Sequence, residues 1–100
     1  MRWDKNKIMY TQGKWIARIN DIGIDVIEER SGFGIVNIGN EKSLSDCEYP
    51  IEEAKANAKL IAASPDLLEF AQEMVRRYPN SPWIYEQGNA AINRALGNEA

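Results

Sequence analysis

The chain has no histidine and a single cysteine, and these two facts remove most of the chemistry open to a small protein. Histidine is the commonest general base near neutral pH and the commonest metal ligand. Without it, Ser-His-Asp and Cys-His relays cannot be assembled within one chain. One cysteine leaves too few soft ligands for a structural zinc site, and no intrachain disulfide can form. Cys47 also sits between Asp46 and Glu48, whose charges disfavour the thiolate that a nucleophile needs. Asp21, Asp25, Glu28 and Glu29 are the one carboxylate cluster with a claim on magnesium. On an extended strand, residues 25 and 29 share one face and 28 takes the other, so a solvated edge that resists sheet-to-sheet aggregation is the better reading. Gly32-Phe33-Gly34 lacks the third glycine of a dinucleotide fingerprint, because position 37 is Asn37, and it reads as a turn. The chain is therefore expected not to be an enzyme, and to use no metal and no cofactor.

What remains is chemistry of recognition. Trp15 falls in strand register and belongs to the core. Trp83 and Tyr85 lie in the first turn of the last predicted helix, just after a proline-bracketed loop. They either close the end of the core or anchor an interface, where tryptophan and tyrosine carry much of the binding energy. Trp3 precedes the first strand among Arg2, Lys5 and Lys7, a combination suited to docking on an acidic partner. A plain edge strand over residues 6–10, ending at Tyr10, is the competing reading. The candidate partner-binding residues are thus Trp3, Lys5, Lys7, Tyr10, Trp83 and Tyr85.

Charge is uneven. Residues 1–20 carry a net +4, residues 21–53 a net −7, and the remainder balances. The net charge of −3 argues against general nucleic-acid binding, which needs a basic face to neutralise phosphates. It argues equally against anionic membrane surfaces. No apolar run approaches a bilayer span, and the start of the chain has no apolar stretch of a signal peptide. The bacterial cytoplasm is the expected compartment.

These side chains need elements to hold them. Lys14 to Asn20 alternates, with Trp15, Ala17 and Ile19 on one face, the signature of a strand. Ile24 to Glu29 and Phe33 to Ile38 supply two more strands, separated by Asn20-Asp21-Ile22-Gly23 and Arg30-Ser31-Gly32, both rich in turn residues. Such short connections predict an antiparallel meander over residues 14–40. From Pro50 the apolar period becomes helical. Ser64-Pro65 and Ser81-Pro82 each look like a helix cap followed by a first-turn proline. Three helices are expected over residues 50–97. The second carries an inward stripe of Leu67, Leu68, Ala71, Met74, Val75 and Tyr78, and the third carries Ile84, Ala91, Ile92, Ala95 and Leu96. The reading is a single α+β domain, 1–100, with an N-terminal segment 1–13, a small antiparallel three-stranded β-meander, and three helices packed on one sheet face.

Within this frame, Glu52 to Phe70 reads EEAKANAKLIAASPDLLEF. It resembles the recurrent EA-x-ANA-x-LIA-x-x-P-x-LLE segment of small accessory proteins encoded by tailed bacteriophages and prophages. Gly13-Lys14-Trp15 is similar to the PG-x-W strand opening found before that segment, with Gln12 in place of the proline; Ser64 stands where an alanine is usual. The resemblance implies phage origin and carries over no catalytic residue. Asn57 is the one polar motif residue without an immediate physical role, and a hydrogen bond tying the helix to a loop is its plain explanation.

Two functions are compatible with these residues. The first is a non-enzymatic phage accessory protein that binds and inhibits a host protein, a bacterial defence complex of the CRISPR type being the most concrete version. The second is an oligomeric small-ligand binder that sequesters a nucleotide-derived immune signal, for which Lys14, Arg18, Arg76 and Arg77 are the available cations.

Overall fold

In the computed structural model, residues 10–40, 42, 44 and 50–98 are described. Three strands form one sheet in the order β1 (Trp15–Ile19), β2 (Ile24–Glu28) and β3 (Gly34–Gly39). Both pairings are antiparallel, as the short connections predict. The Asn20 carboxamide oxygen closes the first turn by accepting from the amides of Ile22 at 2.9 Å and Gly23 at 3.1 Å, an Asx turn. Two helices follow among the described residues, α1 (Ile51–Arg77) and α2 (Pro82–Ala95).

The expectation of three helices over residues 50–97 is therefore corrected to two. Residues 51–77 form one helix that runs through Pro65. An interior proline ordinarily breaks a helix, because it lacks the N–H that would bond to the carbonyl four residues back. Here that carbonyl belongs to Ile61, and the Ser64 hydroxyl donates to it at 2.7 Å. The orphaned acceptor is satisfied by the residue that the sequence presented as a cap. Glu52 and Glu53 at the first turn and Arg76 and Arg77 at the last complement the helix dipole.

Tyr10–Pro65 forms one compact unit, and residues 66–98 belong to a second. In the first, Ile24, Val26, Leu44, Ala54 and Ala58 are buried together. Trp15, Ala17, Ile35, Ile38 and Ile61 pack around them. Small residues at 54 and 58 bring α1 close to the sheet, and burying a Val26-sized side chain contributes about 1.5–3 kcal/mol. Ile35 and Ile38 cannot share a face of a regular strand, where side chains alternate. Val26 pairs with Val36 but Ile27 with Gly34, and Asp25 pairs with Asn37 but Ile24 with Gly39. Each register shift leaves one extra residue, Ile35 and Ile38 respectively, and both pack against the core.

Glu28 is also buried in this unit. Its carboxylate accepts from the amides of Arg30 at 3.1 Å and Ser31 at 2.9 Å. Those backbone bonds, led by Arg30, hold the carboxyl below the ordinary glutamate range. Gly13 lies against it, at φ +102°, and a Cβ there would sit 2.6 Å from Glu28 Oε2. Only glycine meets both conditions.

In the second unit, the end of α2 is closed as its glycine suggests. The Gly97 amide bonds to the Arg94 carbonyl at 3.2 Å and the Asn98 amide to the Asn93 carbonyl at 2.7 Å, the paired bonds of a Schellman motif. Its start differs from expectation. Ser81 occupies the N-cap position, but its side chain makes no capping bond. The inward stripes also differ. Leu67 on α1 and Tyr78 just beyond its end, and Ala91 and Ala95 on α2, are exposed. The buried side chains of α2 are Asn89, Ile92 and Asn93. Polar residues thus occupy positions that hydrophobic counting passed over.

Candidate protein-binding surface

Trp83 settles one of the two readings given to it. It is 74% exposed, so it does not close the core. The proline-started first turn of α2 carries it outward, and its neighbour in space is Phe70 of α1, 64% exposed. Between them lies a cleft of about 300 Å³ lined by Met74, Val75, Ile84 and Gln87 along with these two aromatics. The two helices approach closely here because position 88 is glycine; a Cβ at Gly88 would run into the Cγ2 methyl of Val75.

Tyr85 is exposed on the same first turn. Tyr10 belongs to the other unit, half-buried, with its ring edge-on to Trp15 at 6.4 Å between centroids. The Trp15 indole N–H donates to the Thr11 carbonyl at 3.0 Å, so Tyr10 helps to seat a core residue. Trp3, Lys5 and Lys7 lie outside the described residues, as does Cys47. Phe70 was not singled out by sequence. The signal was there, since it is a large aromatic lying off the inward stripe of α1.

The cations proposed for a small ligand are all engaged. The Arg18 guanidinium donates to both oxygens of Asp25, at 3.0 and 2.6 Å, and this pairing raises the arginine pKa. Lys14 lies 3.9 Å from Glu29. Arg76 and Arg77 both donate to Glu73, the latter at 2.7 Å. The two guanidinium groups, Arg76 foremost, hold the Glu73 carboxyl at a pKa of about 2. Asp25, Glu28 and Glu29 thus have partners of their own, and no group of three acidic or sulfur ligands fit to hold a metal occurs among the described residues. No helix there is long and apolar enough to cross a membrane.

A family model described as Salmonella phage P22 protein Y8K6 matches residues 1–99. The chain belongs to that family. The match supports a phage accessory protein without singling out the 52–70 segment. No curated protein and no solved structure matches the chain.

Proposed function

We propose that this phage accessory protein acts without catalysis, by docking on a host protein through the Phe70–Trp83 cleft. The observation that carries the reading is an exposed tryptophan and an exposed phenylalanine flanking one apolar depression. Exposed aromatics around an apolar hollow are costly in water and are what binding surfaces use to concentrate energy. Tyr85 adds a third aromatic on the same turn. The N-terminal Lys5 and Lys7, with Trp3, supply steering toward an acidic partner, so the on-rate falls as salt rises. A defence complex of the CRISPR type is the most concrete target. Expression of the chain in a CRISPR-immune host should then restore plaque formation by a targeted phage. The nucleotide-sequestering alternative draws on cations that each already face a carboxylate.

The test compares wild type with Trp83→Ala and Phe70→Ala, by affinity capture from host lysate and by thermal melting. One stoichiometric host protein should be captured by wild type and lost from both variants. Their melting temperatures should stay within about 4 °C of wild type, a change of under about 1 kcal/mol. Retention of the partner by both variants, or loss of binding in proportion to loss of stability, overturns the reading.

A further inference from the structure

A second cleft, of about 430 Å³, lies in the sheet unit, and its lining mixes polar with apolar surface. Arg18, Asp25 and Asn37 stand side by side across β1, β2 and β3, because Asp25 pairs with both Arg18 and Asn37. All three line the cleft, with Asn20 and Ile22 from the first turn. The bidentate Arg18–Asp25 pair cancels its own charge, so the lining presents hydrogen-bonding groups with no net field. The guanidinium uses Nε and Nη2 on Asp25 and keeps further N–H donors, since it carries five. A carboxylate has about four acceptor sites, and Arg18 fills two. Asn37 adds an amide that donates and accepts, and Asn20, whose oxygen is occupied by two backbone amides, offers its NH₂.

Donor and acceptor therefore sit next to each other on one face. A hydroxyl group both donates and accepts, and two on neighbouring carbons match an adjacent guanidinium and carboxylate. Ile22, the most exposed large apolar side chain among the described residues at 85%, stands at the rim against which the C–H face of such a molecule would lie. We infer that this cleft binds a neutral, hydroxyl-rich ligand of about monosaccharide size. An anion would have to compete with Asp25 for Arg18, and a cation with Arg18 for Asp25.

The experiment is a ¹⁵N–¹H correlation titration of the full chain with D-glucose, with myo-inositol and, as the anionic comparison, with adenosine monophosphate. A neutral probe should give saturable shifts at the amides of Arg18, Asn20, Asp25 and Asn37, with half-saturation in the millimolar range expected of an open polar site. Asn37→Ala, at an exposed position, and Arg18→Lys, which keeps the charge but loses the fork, should each weaken binding about tenfold. The unperturbed spectrum of each variant reports that the fold is intact. Shifts that stay linear to about 100 mM for both neutral probes overturn the inference. So does binding unchanged in both variants, or tighter binding of the nucleotide than of either polyol.

Discussion

Glu28 in the sheet unit and Asn93 in the helical unit are buried to nearly the same degree, at 6% and 5% exposure, yet they are treated in opposite ways. Glu28 accepts two backbone amides and organises a turn around itself. The side-chain oxygen of Asn93 is buried and accepts no hydrogen bond. The same contrast holds for apolar groups. In the sheet unit the exposed large side chains are scattered, Ile22 and Phe33 at or beside turns, Ile19 and Val36 on strands and Leu60 on a helix. In the helical unit Phe70 and Trp83 gather at one cleft. A unit that leaves a polar atom unpaired inside and aromatics outside departs from the arrangement of lowest energy. Such departures concentrate where a protein has something to do besides fold.

The comparison can be broken most severely at Ile92, which is fully buried in a unit with few buried apolar side chains among its described residues. Ile92→Ala should cost about 2–5 kcal/mol in chemical denaturation. A loss below about 1 kcal/mol would show that the helical unit does not depend on that side chain. In the sheet unit, Gly13→Ala should cost about 1–3 kcal/mol, because it meets both the positive φ and the Glu28 carboxylate. An unchanged denaturation midpoint would mean that the 13–28 contact is not held in solution.

The contrast between the two buried polar groups predicts a smaller effect with a definite order. Asn93→Leu removes an unsatisfied acceptor and should change stability by less than about 1 kcal/mol in either direction. Glu28→Gln puts an NH₂ among backbone donors and should lower the melting temperature by more than Asn93→Leu does. The reverse order would show that the turn around Glu28 relaxes freely.

The smallest effect is a pH dependence. Glu73 has a folded-state pKa of about 2, against an ordinary value of 4.5. Its pairing with Arg76 and Arg77 therefore contributes fully above the ordinary value and is lost as pH falls from there toward 2. The side chains are substantially exposed, so solvent screens most of the energy. Glu73→Gln should flatten a slight decline in melting temperature across that window and leave the neutral value almost unchanged. A steep decline that persists in the variant would assign the acid sensitivity to another group, with Glu28 next in line because its pKa is also lowered.

The sheet was legible from sequence because its determinants are local. Alternation around Trp15 and the turn residues at Asn20 and Gly32 place three antiparallel strands where they occur. The register shifts in β3 were not, since nothing in Gly34–Gly39 reveals that Ile35 and Ile38 are both needed on one face. The helix count failed because Ser-Pro has two meanings. At Ser81-Pro82 it begins a helix, and at Ser64-Pro65 the hydroxyl repairs one. Of the candidate surface, Trp83 and Tyr85 were visible as aromatics in a first turn. The cleft between Trp83 and Phe70 was not, because it depends on how closely Gly88 lets two helices approach.

Pro65 has one more consequence, in the exchange of protons with solvent. It carries no amide hydrogen, so position 65 of α1 is silent in any amide-exchange measurement. The proton held by the Ile61 carbonyl is a hydroxyl proton, not an amide one. Amides before that gap lie in the sheet unit and amides after it in the helical unit. One continuous helix thus carries, on either side of a single blank position, a separate record of how readily each unit opens.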